Sequence, residues 1–274
     1  MTQTSRSSQF ESQAEPQTET PAEPQSDVID GLIQDWEAQQ GAYVRHRTNR
    51  FEVILDAIAY TNPAPARVID LGGGLGSFSR LILERFPTAR TVTVDYDPAM
   101  LELARHNLSE YRGRATVVEA DLLASDSTDR WASAAPDCVV SSTALHWLPA
   151  DGLAGLYGRL GALLPANALF FNADHLARAV PETFFRAVSA ADDARQQQDA
   201  FSQGVPDWDT WWERLARLDG FPALLAERTR RFADRPVQTS LTPAWHIEAL
   251  RAAGFGEAGT IWQHFDDYVV YGVR

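Results

Sequence analysis

The sequence predicts an α/β fold: a doubly wound, mostly parallel sheet with an antiparallel C-terminal hairpin and a helical lid insertion. Three observations predict it. Between residues 66 and 175, short apolar runs ending in acids alternate with helical patterns. The first of these runs meets a glycine-rich turn, Gly72-Gly-Gly-Leu-Gly76, that opens directly into a helical pattern. At the C-terminus, residues 260–265 and 268–273 read as two strands joined by a tight turn at Asp266-Asp267.

Taken in chain order, residues 1–27 are rich in Gln, Glu, Ser, Thr and Pro, a composition that predicts a disordered tail. From residue 28 to 60 the pattern is helical, with Ile33, Trp36, Tyr43, Phe51, Ile54, Leu55 and Ile58 at helix-like spacing, until Asn62-Pro-Ala-Pro65 breaks it. Val68-Ile69 reads as the first buried strand and residues 77–86 as its following helix. Residues 91–95 form the second strand, and Asp97 with Pro98 provides an N-cap and first position for the next helix. Residues 115–121, 137–143 and 168–172 are the third, fourth and fifth strands.

Residues 28–175 are thus expected to form N-terminal helices and a nucleotide-binding core. Residues 176–240 read as a mostly helical insertion containing Pro181, the polar stretch 192–199 and Trp208, Trp211 and Trp212. Residues 241–274 return a helix, capped by Thr242-Pro243 and ended by Gly254, and the hairpin that completes the sheet.

Composition bounds the function. The 274 residues are 45% hydrophobic, enough for one α/β domain with a large core. No apolar run approaches the ~20 residues of a membrane span, and no secretory signal precedes the domain, so a cytoplasmic protein without membrane association is expected. The net charge is −13. The first 30 residues hold six acids against Arg6, a net of −5, which leaves −8 for the remainder. That excess disfavours nucleic acid as a partner, since no surplus of cations is available to displace phosphate counterions. Every basic residue is Arg. The single cysteine, Cys138, lies inside the apolar fourth strand and reads as a small buried hydrophobe. No His/Cys ligand spacing occurs and Asp266-Asp267 reads as a solvated turn pair, so no metal is expected.

The glycine turn is a nucleotide-binding device, and its spacing narrows the nucleotide. The dinucleotide fingerprint G-x-G-x-x-G would require glycine at Ser77, whereas here the third glycine comes one place early, at Gly76. The pattern is Asp70-x-Gly72-x-Gly74-x-Gly76, followed by Asp95 at a strand end about 20 residues on, where a carboxylate can bind ribose hydroxyls. In order and spacing these segments resemble the class I S-adenosylmethionine (SAM) dependent methyltransferases over about residues 50–175 and 241–274. Ser142-Thr-Ala-Leu-His-Trp-Leu-Pro149 is similar to the segment after the fourth strand in bacterial small-molecule methyltransferases, including the trans-aconitate methyltransferase branch.

The resemblance implies a Rossmann-like sheet of seven strands and SAM as cofactor, with S-adenosylhomocysteine as product. It also implies cofactor contacts at Asp70, Gly72, Gly74, Asp95, Tyr96, Asp121, Leu122 and Ser142. The acceptor site does not transfer, because insertions set it. A small-molecule acceptor is implied, with a place in bacterial secondary metabolism; neither the acceptor's identity nor the oligomeric state is legible.

Acceptors that lose a proton are helped by a base, and His146 and His175 both follow parallel strands at the edge where open α/β sheets bind ligands. Each assignment has a plainer competitor. Asp95 and Asp121 are also capping or turn residues, and His146 beside Trp147 is also a packed pair, or Trp147 a cation–π shield for a sulfonium. His175 can equally cap the insertion, and His264 alternates along a strand as a structural residue. Arg45 and Arg47 around His46 either meet the cofactor carboxylate or form a solvated helix face. The tryptophans are either core of the insertion or an aromatic lid over the acceptor. Two further functions stay open: a SAM-binding enzyme of the same fold catalysing cyclisation, decarboxylation or a pericyclic step, and a non-catalytic SAM-binding protein.

Overall fold

The computed structural model describes residues 25–132, 134–178, 182–235 and 241–274. The predicted tail up to residue 24 and Pro181 lie outside the described residues. Two helices, α1 (Gln25–Tyr43) and α2 (Arg47–Thr61), precede the alternating strands and helices. These comprise β1 (Arg67–Leu71), α3 (Ser77–Arg85), β2 (Arg90–Asp95), α4 (Pro98–Asn107), β3 (Ala115–Glu119), α5 (Ser127–Trp131), β4 (Cys138–Ser142), α6 (Ala150–Leu163) and β5 (Leu169–His175). Three helices follow, α7 (Thr183–Ser202), α8 (Trp208–Leu215) and α9 (Phe221–Phe232). The chain then closes with α10 (Pro243–Ala252), β6 (Glu257–His264) and β7 (Asp267–Val273).

The seven strands form one sheet in the order β3-β2-β1-β4-β5-β7-β6. Strands β1 to β5 pair in parallel, and β7 enters antiparallel between β5 and β6. The strand order reverses between β1 and β4, so the crevice at their carboxyl ends is the ligand site that this topology provides.

Alternation along the strands divides the core. Ile69, Leu71, Val139 and Phe170 face α6 and α10 and pack in one cluster with Leu156, Leu160 and Leu250. Val68, Val140, Leu169 and Phe171 face the opposite layer, where Ile54 and Ile58 of α2 and Phe78 and Ile82 of α3 cover them. A third cluster joins α1 and α4 to the insertion through Leu32, Ile33, Met100, Leu103, Trp211, Leu215 and Phe221. The insertion is therefore docked on the core by apolar burial.

Several boundaries differ from the sequence expectation for physical reasons. The helical pattern over residues 28–60 is two helices, because His46 takes a left-handed conformation (φ 57°) between them. Strand β3 stops at Glu119, so Asp121 lies just beyond it. Strand β5 runs past Asn172, its polar end Asn-Ala-Asp-His paired with β7 as far as His175–Asp267. Asp266-Asp267 is not a solvated turn pair: Asp267 opens β7, and both side chains are buried against cations. The polar stretch 192–199 lies within α7.

Candidate active site

The glycine turn needs its glycines in different ways. Gly72 (φ 64°) is pressed against the segment after β4, where an added Cβ would collide with the Ala144 Cβ. Gly74 (φ 54°) faces open space, with nothing within 4 Å of its missing Cβ, and so presents bare backbone to the crevice. Asp70 is only 1% exposed, and its Oδ2 accepts from the Ser79 N–H (3.1 Å) and Oγ–H (2.8 Å). Burial pushes its pKa up to about 7. Asp70 thus ties the turn to the first residues of α3.

Asp95, at the end of β2, accepts from the Gly74 N–H (2.8 Å) through Oδ2 and from the Tyr96 and Asp97 N–H groups (2.7 and 2.9 Å) through Oδ1. These bonds fix its carboxylate beside the glycine turn, while burial raises its pKa. Asp121 accepts from the Leu123 N–H (2.9 Å) and pairs with Arg235 (3.0 Å). Leu122 is buried in the core, with its carbonyl accepting from Arg159 (2.5 Å). Ser142 Oγ, at the end of β4, accepts from Arg50 Nη2 (3.0 Å). Asp95, Tyr96, Asp121 and Ser142 therefore stand at or just beyond the carboxyl ends of β2, β3 and β4, along one edge of the sheet.

The histidines stand at the same edge. His146 lies in a 3-10 turn after β4, and its Nδ1 is 2.6 Å from Asp174 Oδ1. The other oxygen of Asp174 accepts the His146 backbone N–H at 3.0 Å. Asp174 is fully buried in β5, and desolvation opposes its ionisation; the adjacent His146 and Arg50 nevertheless hold its pKa below the ordinary carboxylate value. An ionised carboxylate on Nδ1 fixes the tautomer with its proton there, leaving Nε2 as the basic atom. Thr143, the residue after β4, has φ 51°, a strained value for a β-branched residue. His175 is half-exposed, and Asp267, 3.6 Å from its Nδ1, raises its pKa. Trp147 is 58% exposed, with its ring centroid 5.1 Å from that of His146.

Two functional candidates escaped the sequence reading. Arg50 is fully buried, with Nη1 3.6 Å from Asp267 Oδ1; among the described residues its Nε and Nη1 have no hydrogen-bond partner. It shares the apolar stripe of α2 with Ile54 and Ile58, so a charge at helical register with core residues was the available signal. Asp174, the second, sits in the polar end of β5. By contrast, Arg45 pairs with Asp192 (2.6 Å) and Arg47 with Glu37, while His46 stacks edge-on against His264 at 4.7 Å. Trp211 is fully buried in the core of the insertion, donating to the Leu32 carbonyl (2.8 Å). Cys138 is buried in β4, and burial pushes its thiol pKa up. Among the described residues no group of three or more His, Cys, Asp or Glu side chains is arranged to hold a metal ion, and no helix is long and apolar enough to cross a membrane.

The fold agrees with comparison to known proteins. The family described as "Methyltransferase domain" matches residues 68–167. Over these residues the chain is similar to that methyltransferase family. The chain is 33% identical over 140 residues to trans-aconitate 2-methyltransferase of Acidovorax ebreus, covering 50% of this chain and 49% of that protein. It is 34% identical over 148 residues to the enzyme of that name in Streptomyces avermitilis, covering 49% and 52%. The chain therefore spans about half the length of these curated relatives. Among solved structures, "PigF with SAH" shares the fold with a TM-score of 0.53 at 14% identity, over 92% of this chain and 60% of that one.

Proposed function

We propose that the chain transfers a methyl group from SAM to a small-molecule acceptor, with His146 taking the acceptor's proton. The observation that carries this reading is the seating of His146 on buried Asp174 at 2.6 Å, at the same sheet edge as the glycine turn. The residues present suit the cofactor. Gly74 offers open backbone, Asp95 is fixed for ribose hydroxyls, and Arg50 holds buried N–H groups without hydrogen-bond partners among the described residues. Arg50 would take the cofactor carboxylate, since a guanidinium fork matches that group; Tyr96, Asp121 and Leu122 would hold the adenine. Bound SAM supplies a methyl on a sulfonium, an electrophile that needs alignment and exclusion of water more than activation.

The protein's own share is then proton transfer. His146 Nε2 accepts the proton of an acceptor hydroxyl, and ionised Asp174 stabilises the imidazolium that results. His175, with its pKa raised by Asp267, is protonated over a wider range of pH and is better suited to donating a hydrogen bond to the acceptor. Around this edge Arg50 and Arg178 are each matched by a carboxylate, Asp267 and Asp266. That balance favours an uncharged or cationic acceptor over a polycarboxylate.

The test is a screen of hydroxyl-bearing metabolites with SAM, followed by product mass. Methylated product with S-adenosylhomocysteine in wild type and its loss in His146→Ala supports the reading. Release of methylthioadenosine indicates cyclisation of the aminobutyryl arm and sinks it.

A further inference from the structure

Helix α9 and the turn beyond it carry Arg228, Arg231 and Arg235, and each reaches an acid near the ends of β2 and β3. Arg228 Nε pairs with Asp97 (2.5 Å) while its guanidinium lies 4.3 Å from the Trp212 ring centroid. Arg231 Nη1 pairs with Glu119 (2.9 Å) and donates to the Tyr96 carbonyl (2.9 Å). Arg235 Nη2 pairs with Asp121 Oδ1 (3.0 Å). Its Cζ also stands 4.7 Å from the centroid of the Tyr96 ring and 5.5 Å from that of Phe232.

Arg235 therefore makes two contacts at once that a planar, amino-bearing ring would make. It offers N–H donors to a carboxylate and sets a flat, delocalised group over an aromatic ring. The geometry points to Arg235 as a resident competitor for the adenine seat: the cofactor's adenine and Arg235 contend for Asp121 and the face of Tyr96. This rests on the assignment of Asp121 and Tyr96 to adenine given above. The consequence is a coupled lid. Cofactor binding displaces Arg235 from Asp121 and Tyr96, while Arg228 and Arg231 keep α9 anchored at Asp97 and Glu119. The hold of Arg235 on the core thereby becomes dependent on cofactor occupancy.

The experiment is calorimetric titration of the full chain with S-adenosylhomocysteine in three forms: wild type, Arg235→Ala, and Arg235→Ala with Asp121→Ala. Arg235→Ala should tighten binding about fivefold, the scale of a partly exposed ion pair with a stacked ring. Adding Asp121→Ala in that background, where Arg235 no longer contends for Asp121 and Arg231 stays over Tyr96 in every form, should weaken binding again. Unchanged or weaker binding in Arg235→Ala, with Asp121→Ala still weakening it further, overturns the competition alone and makes Arg235 a clamp on the bound ring or a bystander. If Asp121→Ala leaves affinity unaltered in the Arg235→Ala background, the adenine seat itself is misassigned and both readings fall. Circular dichroism melts of all three forms check that each is folded; the Arg228 and Arg231 pairs are untouched in every one.

Discussion

Asp174 holds His146 at two points, the ring Nδ1 at 2.6 Å and the backbone N–H at 3.0 Å, one oxygen to each. The first bond sets the tautomer and the second sets the position of the turn after β4, so one buried carboxylate controls which ring nitrogen is free and where it points. Asp174→Asn keeps the shape and removes the charge. It should lower kcat about 10²- to 10⁴-fold and change S-adenosylhomocysteine affinity far less, because Asp174 bonds His146 directly and acts on Arg50, the residue assigned to the cofactor carboxylate, only through its charge. Equal losses in affinity and kcat would mark Asp174 as structural support alone.

The strands were legible because burial on both faces gives apolar runs, and the glycine turn and strand-end acids sit next to those runs in sequence. Asp174 was not legible. It lies in the polar string Asn-Ala-Asp-His at the end of β5, which reads locally as the strand's termination but is extended by pairing with β7, a strand distant in sequence. Arg50 was hidden by the rule that charged helix residues face water; only its register with Ile54 and Ile58 betrays it. Asp70 is the reverse case. The motif marks its position plainly, but the hydrogen bonds that occupy its carboxylate go to Ser79, a partner the motif does not disclose.

Arg50 should read the carboxylate of the cofactor and nothing else in it. Arg50→Lys keeps the charge that Asp267 and Asp174 face but loses the fork. Affinity for S-adenosylhomocysteine should fall about tenfold, whereas 5′-methylthioadenosine, which lacks the amino-acid end, should bind within about threefold of wild type. Equal loss for both compounds would point to general damage to the site.

His246 makes the fold itself sensitive to pH. It is fully buried on α10, with Nδ1 2.7 Å from the Tyr157 hydroxyl, and burial lowers its pKa from 6.5 to about 4. The unfolded chain takes up a proton near pH 6.5 that the native protein refuses until about pH 4, so stability is lost as pH falls through that window. The loss should total about 3 kcal/mol, and denaturant melts of His246→Gln should show a shallower dependence between pH 6.5 and 4. The His175–Asp267 pair acts with the opposite sign. Its raised pKa gives stability that is present below pH 6.5 and lost as pH rises through the folded value, outside the window of His246.

The most direct test of the crevice is calorimetric titration of wild type and Asp95→Ala with SAM, S-adenosylhomocysteine and NADH. Wild type should bind both adenosyl compounds and not NADH, and Asp95→Ala should lose about tenfold or more in affinity for both. Preference for NADH, or unaltered binding in Asp95→Ala, would contradict the assignment of the crevice.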